Sequence, residues 1–327
     1  MRQVGSGKFV YMELKDWGEF PEGWMAHDVA AVAVDSQDNV YVFTRNGAGD
    51  CVVVLDREGP MLGSWGAGLF KRPHGISIGP DDAIYCVDDW GHAVHKFTTD
   101  GKLLMSIETA ANPADTGYVW DRPETVLRSG PPFNYPTHVA VSPEGYLYVT
   151  DGYGNARVHK FAPDGRLLLS WGEPGNGPGE FVIPHSVCVD NTGLVYVADR
   201  MNSRIQVFAP DGKLVAVWPE IRRPDDLCLD AEGSVYIAEL GNVVQGETGA
   251  RQAVVSGPAG RITVRDLSGR LLAEWGEPDP QGIDLYYCPH GIAVDSRGDL
   301  YVSEVPEAYS GGQRVPTRPA LRKYVRV

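Results

Sequence analysis

The chain has 327 residues, a formal net charge of −14 and a hydrophobic content of 43%. An acidic surface repels nucleic-acid phosphates and anionic lipids, so neither nucleic acid nor a membrane is expected as a partner. The composition is too apolar for a disordered chain, and no apolar run reaches the roughly 18–20 residues that span a bilayer.

The N-terminal residues and the cysteines favour a cytoplasmic protein. The first residues show no apolar stretch followed by a small-residue cleavage site, as a secretory signal would. The five cysteines are odd in number and widely spaced, which is typical of reduced thiols. They are Cys51, Cys86, Cys188, Cys228 and Cys288.

One unit of sequence recurs along the chain. It contains an apolar strand, a short turn, a strand with Tyr-Val, a polar corner, a strand ending in Phe, and an Asp-Gly turn before a last strand ending in Trp. The clearest copy runs from Pro184 to Trp218. The first strand of each copy closes at Asp35, Gly79, Ser142, Asp190, Asp230 and Asp295. Four alternating strands per unit at this spacing are typical of propeller blades.

The predicted elements begin with a strand at 8–18, which has the form of the fourth strand of a blade. Six units follow, near residues 29–66, 73–107, 136–172, 184–219, 224–276 and 289–327. The last unit has three strands, so we expect strand 8–18 to complete it and to remove the exposed edge. The sequence therefore predicts an all-β, six-bladed β-propeller formed by the whole chain as a single domain.

The segment from Gly175 to Trp218 resembles the NHL-repeat family of β-propellers. It reads GNGPGEFVIPHSVCVDNTGLVYVADRMNSRIQVFAPDGKLVAVW, and looser copies cover nearly the whole chain. This resemblance implies a fold and not an activity, because many such propellers only bind partners.

Three of the eight histidines share one position of the repeat. His74, His185 and His290 each follow a proline and lie five residues before the close of the first strand. That strand lines the channel of a propeller, so the imidazoles of blades 2, 4 and 6 should enter its mouth about 120° apart. Three converging imidazoles predict one divalent ion with an open coordination position: Zn²⁺ first, with Fe²⁺ or Mn²⁺ as alternatives. The other interpretation is that Pro-His belongs to the repeat consensus and packs the channel mouth.

The corners after the second strands should surround the same mouth, because an antiparallel strand returns to the face where its neighbour began. Arg45, Tyr153 and Arg200 depart from the repeat there, which makes them the candidate functional residues. Two arginines beside a cation predict a small-molecule carboxylate as substrate, although a solvated or ion-paired corner is the alternative. An acid recurs in five corners, which favours a structural role in accepting backbone N–H groups. These acids are Asp88, Asp151, Asp199, Glu239 and Glu304.

Several segments resemble the peptidyl-α-hydroxyglycine α-amidating lyases, which are also six-bladed propellers. They are FTRNG (43–47), RPHGISI (72–78), VTDGYGNARV (149–158), WGEPGNGPGEFVIPHSV (171–187), VADRMNSRIQVF (197–208) and CPHGIAV (288–294). The resemblance implies zinc on the three histidines, an active-site tyrosine at Tyr153 and two arginines at Arg45 and Arg200. It also implies cleavage of a carbinolamide C–N bond, with release of an amide and glyoxylate.

Together these features favour a metal-dependent lyase acting on an α-hydroxyglycine-like carboxylate. The metal is expected to lower the pKa of the substrate hydroxyl. Arg45 and Arg200 would hold the carboxylate or assist proton transfer. Tyr153 would be the acid/base group if adjacent cations lower its phenol pKa from about 10.

The chain departs from the family pattern at three positions. Cys288 replaces a methionine, which changes the pocket wall, makes Cys288 a candidate substrate contact and adds a potential thiolate ligand. Gly291 replaces an acid that helps to bind calcium, so Ca²⁺ is not expected, and Gly154 replaces a disulfide cysteine. These departures favour a small substrate, ureidoglycolate-like or an N-acyl-α-hydroxyglycine. Three insertions, at about 107–135, 241–260 and 305–320, are expected to rim the pocket and set that choice.

Two alternative functions remain open from the sequence. The first is a non-catalytic NHL scaffold that binds a protein partner, although no obligate partner is evident. The second is a metal-dependent hydrolase of a small carboxylate ester or lactone. Imidazoles at the channel mouth favour the lyase, because lactonase-type propellers use calcium and carboxylates.

Overall fold

A computed structural model describes residues 2–15, 17–20, 24, 28–45, 49–109, 111–240, 260–276, 286–309 and 320–327. Residues 241–259 and 310–319, which form most of the second and third predicted insertions, lie outside the described residues. The described chain is an all-β, six-bladed β-propeller, which confirms the predicted fold class. In these ranges we find no helix with the length and apolar character needed to cross a membrane.

The described residues form 27 strands. They are β1 (Gln3–Ser6), β2 (Phe9–Leu14), β3 (Val29–Val34), β4 (Val40–Thr44), β5 (Val52–Leu55), β6 (Met61–Trp65), β7 (Pro73–Ile78), β8 (Ile84–Asp88), β9 (Ala93–Phe97), β10 (Leu103–Glu108), β11 (Pro136–Val141), β12 (Leu147–Asp151), β13 (Arg157–Phe161), β14 (Leu167–Trp171), β15 (Glu173–Pro174), β16 (Glu180–Phe181), β17 (Pro184–Val189), β18 (Val195–Asp199), β19 (Arg204–Phe208), β20 (Leu214–Trp218), β21 (Pro224–Leu229), β22 (Val235–Glu239), β23 (Arg261–Arg265), β24 (Leu271–Trp275), β25 (Pro289–Val294), β26 (Leu300–Glu304) and β27 (Leu321–Arg326). Short helical segments are the 3₁₀ turns Pro123–Thr125 and Arg200–Asn202 and the α-helix α1 (Pro306–Tyr309).

The chain divides into two compact units. Residues 66–224 contain three four-stranded antiparallel sheets, β7–β10, β11–β14 and β17–β20, and the small parallel pair β15 and β16. Residues 1–65 with 225–327 contain the sheets β3–β6 and β21–β24 and a five-stranded sheet in the order β1-β2-β27-β26-β25.

The last sheet is closed by the N-terminal strand, as predicted. Strand β2 pairs antiparallel with β27, with Tyr11 opposite Arg326 and Leu14 opposite Lys323. Two details differ from the prediction. Strand β2 ends at Leu14 and does not reach residue 18, and β1 adds a fifth strand through a tight hairpin in which Gly7 has φ 61°.

The apolar core lies between neighbouring sheets. In residues 66–224, one cluster joins Tyr85 and Val87 of β8 to Val149 of β12, and a second joins Val158 of β13 to Val197 of β18. The outermost strand of each blade is the exposed one; Leu168 in β14, for example, is 41% exposed. The functional positions therefore belong to the buried inner strands and the corners that connect them.

An aspartate at the close of the first strand fixes the first turn of a blade. Asp190 accepts hydrogen bonds from the backbone N–H groups of Thr192 and Leu194, at 2.8 and 3.0 Å, and from the Tyr196 hydroxyl at 2.8 Å. The same Asp-to-Tyr hydrogen bond occurs in three other blades. In each of them the tyrosine follows the aspartate by six residues, as this bond requires. These pairs are Asp35–Tyr41, Asp230–Tyr236 and Asp295–Tyr301.

Candidate metal centre

The repeat position shared by the three histidines is a β-bulge at the start of the innermost strand. In β17, Pro184 lies opposite Asp199 and Ser186 lies opposite Ala198, so His185 is an extra residue in the ladder. The register also shifts around His74 in β7 and His290 in β25. A bulge re-aims a side chain away from the regular alternation of the strand, so this irregularity sets the direction of each imidazole.

Two of the histidines converge on one phenol in residues 66–224. The Tyr153 hydroxyl lies 2.8 Å from Nε2 of His74 and 3.0 Å from Nε2 of His185. The two imidazole centroids are 4.9 Å apart, and each histidine is only 2% exposed. The predicted ligands His74 and His185 and the predicted active-site tyrosine thus form one contact cluster.

Backbone carbonyls fix the tautomers of two histidines. Nδ1 of His74 donates to the Thr137 carbonyl at 2.6 Å, and Nδ1 of His290 donates to the Ala30 carbonyl at 2.7 Å. A carbonyl only accepts, so the proton of each neutral ring lies on Nδ1 and the lone pair on Nε2. Thr137 and Ala30 occupy the histidine position in the neighbouring blades, so the repeat itself supplies the orienting acceptor that metal-binding histidines commonly have.

The three histidines form a possible metal site. Among the residues that the structure describes, one ligand atom of each of His74, His185 and His290 lies within 4.8 Å of the others. All three side chains are buried, and neutral imidazole is a good ligand for zinc, iron or manganese. The donor set therefore fits a divalent transition-metal ion.

Glycines on both sides of Tyr153 allow its loop to lie close to neighbouring backbone. A Cβ at Gly152 would clash with the Pro184 carbonyl oxygen, and one at Gly154 would clash with Asn134 Oδ1. The Gly154 N–H donates to the Asn134 carbonyl at 3.0 Å, and Tyr153 itself is 6% exposed. Glycine at 154, where the resembling family has cysteine, thus has a steric reason in this chain.

The two predicted arginines have different surroundings. Arg200 begins a 3₁₀ turn, is 2% exposed, and places its guanidinium carbon 5.5 Å from the centre of the Tyr153 ring. Arg45 forms an ion pair with Asp28, with Nη1 and Oδ2 3.1 Å apart. Asp28 also accepts the N–H groups of Glu307 and Ala308 in α1. Arg45 is therefore in an ion-paired corner, and Arg200 lies beside the phenol.

The recurring corner acids bind the backbone just before the first strand of their own blade. Asp88 accepts the N–H of Arg72 at 2.9 Å, and Asp199 accepts that of Val182 at 2.9 Å. Asp151 and Glu304 do the same for Asn134 and Cys288. Glu239 instead accepts from the Arg261 and Thr263 side chains. Burial raises the pKa of Asp199, against hydrogen bonds from Asn202, Val182 and Arg204.

Cys288 lies in an apolar cluster with Leu240, Val305 and Tyr309 and is 0% exposed. Burial raises the pKa of its thiol, which favours the neutral form. The described three-histidine group does not include it. Its role as a substrate contact stays a prediction.

An arginine and an aromatic group that were not predicted lie beside Tyr153. The Arg72 guanidinium carbon lies 6.0 Å from the Tyr153 ring, 5.4 Å from the Trp90 ring and 6.0 Å from the Trp120 ring. Its Nη1 donates to Asp89 at 2.8 Å. Arg72 directly precedes the Pro-His pair of blade 2 in the sequence, and that adjacency was the available signal.

The NHL repeat model matches residues 133–161 and 181–208 of this chain. The chain is 32% identical to rat peptidylglycine alpha-amidating monooxygenase over 230 residues, covering 60% of this chain and 22% of that protein. It is 34% identical over 155 residues to a probable peptidyl-alpha-hydroxyglycine alpha-amidating lyase of Caenorhabditis elegans, covering 46% and 41%. A Drosophila melanogaster peptidyl-alpha-hydroxyglycine alpha-amidating lyase is 27% identical over 286 residues, covering 76% and 45%. The chain thus spans less than half the length of each of these relatives.

Solved structures share the fold at low sequence identity. A streptogramin B lyase is 16% identical with a TM-score of 0.57, covering 97% of this chain and 86% of that one. A gluconolactonase from Xanthomonas campestris is 16% identical with a TM-score of 0.58, covering 92% and 87%. At this identity the likeness shows the fold alone. The chain is a β-propeller with NHL repeats, and in sequence it resembles the peptidyl-α-hydroxyglycine α-amidating lyases.

Proposed function

We propose that the chain is a metal-dependent lyase that cleaves the C–N bond of an N-acyl-α-hydroxyglycine or a similar small carboxylate. The main support for this proposal is the group of three buried histidines at one position of the repeat, whose ligand atoms lie within 4.8 Å of one another. Similarity to proteins named as amidating lyases supports an activity of this type.

The histidines are suited to hold Zn²⁺, with Fe²⁺ or Mn²⁺ as alternatives. Their carbonyl-bound Nδ1 atoms leave Nε2 as the ligand atom in His74 and His290. A bound divalent ion would supply Lewis-acid activation of a substrate oxygen.

Tyr153 is the proton-transfer group in this proposal. The substrate loses the proton of its α-hydroxyl, the C–N bond breaks, and the bonding electron pair and a proton go to nitrogen. The products are a primary amide and glyoxylate. The Tyr153 hydroxyl lies within 3.0 Å of the Nε2 atoms of His74 and His185, which supports this role. One hydroxyl can take the proton from oxygen and return it to nitrogen, as general acid–base catalysis requires.

Arg200 is the better candidate for holding the substrate carboxylate. It is buried, and its charge lies 5.5 Å from the Tyr153 ring. A guanidinium binds a carboxylate through two parallel hydrogen bonds, which fixes the orientation of the neighbouring carbinol carbon. Arg45 already has Asp28 as an ion partner, so we assign it the secondary role of adding positive charge near the carboxylate.

Glyoxylate release from α-hydroxyhippurate tests the proposal. The metal-loaded wild type should form glyoxylate, and His185→Ala should lose the activity together with the ion. His95→Ala is the matched control, because His95 lies on β9 and bonds Ser106. Active-site metal without glyoxylate formation would favour the hydrolase, and protein that binds no metal would favour the scaffold.

A further inference from the structure

A cavity of about 460 Å³ lies beside the Tyr153 loop in residues 66–224. We call it the aromatic pocket. It is built by the first insertion together with one corner residue, His92, and its other principal walls are Thr116, Tyr118, Trp120, Asn134 and Tyr135. None of these residues has a role in the function proposed above.

The pocket has an aromatic wall that is open to solvent. Trp120 packs against Tyr135 at 5.2 Å and edge-on against Trp90 at 5.6 Å. Trp90 is 47% exposed and Trp120 is 49% exposed. Large aromatic rings contribute most when they are covered, so two half-exposed indoles side by side indicate a surface on which another group packs.

The pocket is joined to the Tyr153 loop by hydrogen bonds. The Tyr153 N–H donates to the Tyr135 carbonyl at 3.3 Å, and Thr116 Oγ1 donates to the Gly154 carbonyl at 2.5 Å. Asn134 Nδ2 donates to Thr116 Oγ1 at 3.2 Å. The pocket and the backbone of the Tyr153 loop are therefore held together by hydrogen bonds.

The backbone of the pocket is held in an unusual conformation. His92 and Tyr135 have φ values of 50° and 59°, which are uncommon outside glycine. The Tyr135 N–H donates to Nδ1 of His92 at 3.0 Å, and burial lowers the pKa of His92, which keeps the ring neutral and able to accept. Strain of this kind persists where surrounding structure enforces it, and it concentrates at ligand sites.

We propose that the aromatic pocket is the acyl subsite of the enzyme, and that it selects substrates whose acyl group on nitrogen carries a neutral aromatic ring. This inference rests on the proposed function. An aromatic acyl group would stack on Trp120 while the carbinol carbon lies at Tyr153. A cationic group is disfavoured, because Arg72 already places its positive charge 5.4 Å and 6.0 Å from the Trp90 and Trp120 rings.

The test compares two substrates and two variants. The substrates are α-hydroxyhippurate, which is N-benzoyl-α-hydroxyglycine, and N-acetyl-α-hydroxyglycine. The readout is the ratio of their kcat/KM values. Trp120→Ala should lower the benzoyl-to-acetyl ratio about tenfold, as expected for the loss of a stacked aromatic contact. Val119→Ala is the matched control, because Val119 is the exposed neighbour of Trp120 and does not line the pocket. Trp90 does not line the pocket but packs edge-on against Trp120, so Trp90→Ala should lower the ratio as well by loosening that ring, and it guards against a folding defect of one variant.

A ratio that is unchanged in both tryptophan variants would overturn the acyl subsite and leave the lyase proposal intact. If the wild type cleaves neither substrate, the lyase proposal fails. The pocket's preference for aromatic acyl groups is then tested by measuring the affinities of unreactive ligands by calorimetry. N-benzoylglycine should then bind about tenfold more tightly than N-acetylglycine, and Trp120→Ala should remove the difference. Equal affinities in the wild type would overturn the subsite.

Discussion

Replacing Tyr153 with phenylalanine separates the chemistry of the site from its stability. The substitution keeps the ring that packs edge-on against His74 and His185, with centroids at 5.1 and 5.5 Å, and removes the hydroxyl that bonds both Nε2 atoms. Two neutral hydrogen bonds are worth about 0.5–1.5 kcal/mol each, so the metal-free protein should lose about 1–3 kcal/mol of unfolding free energy. Loss of an acid–base group should lower kcat roughly 100- to 10,000-fold, or about 3–5.5 kcal/mol in activation free energy.

The assays are urea denaturation of the metal-free protein and glyoxylate formation by the metal-loaded protein. Tyr196→Phe is the matched control, because its buried hydroxyl bonds Asp190 at 2.8 Å in the turn of the same blade as His185. The control should lose comparable stability and keep its kcat within about threefold, since it removes no group from the site. A metal-loaded Tyr153→Phe enzyme with kcat within about tenfold of wild type would refute the acid–base role.

Three further predictions concern groups around the site. Asp28→Ala should cost about 3–5 kcal/mol of unfolding free energy in urea denaturation, because it removes the carboxylate that pairs with Arg45. Asp28→Asn also removes that charge but keeps an oxygen acceptor for the N–H groups of α1, so most of the loss should remain, and stability close to wild type in this variant would contradict the ion-pair assignment. Burial alone would raise the pKa of Asp190, but hydrogen bonds from Thr192 and Tyr196 lower it overall. Its stabilisation is thus present above the unfolded pKa near 3.9 and lost as the pH falls through the folded pKa. The stability difference between wild type and Asp190→Asn should shrink as urea titrations move from about pH 6 to below 3.9, and a constant difference would oppose this reasoning. Thr116→Val removes the hydroxyl between Gly154 and Asn134, so kcat should fall along with about 1–3 kcal/mol of stability, and an unchanged kcat would argue against the bonded loop.

The repeat made the architecture predictable. Every predicted blade carries alternating strands and four of them carry the turn aspartate, so local signals recur often enough to establish the fold. Strand β1 escaped prediction because Gln3–Ser6 is short, contains a glycine and lacks apolar alternation. The closure of the last blade by β2 was predictable because a missing strand leaves an edge that must be paired.

The candidate site was predictable only in part. The histidines share a sequence position, but the bulge that aims them depends on the register between two strands, which periodicity does not encode. Arg45 forms an ion pair with Asp28, a residue outside the repeat, so the repeat pattern could not predict which acid pairs with Arg45. The aromatic pocket was missed because Tyr118 and Trp120 lie in an insertion without repeat register, and Tyr135 enters it through a left-handed backbone conformation.

Metal content is the most direct test of the central claim, that His74, His185 and His290 bind one ion together. Protein purified without added metal should contain about one transition-metal ion per chain by mass spectrometry, as a three-histidine site would hold. Each single substitution of these histidines by alanine should abolish that content, while His95→Ala should retain it. Wild-type protein without bound metal, or histidine variants that keep the full content, would contradict the account.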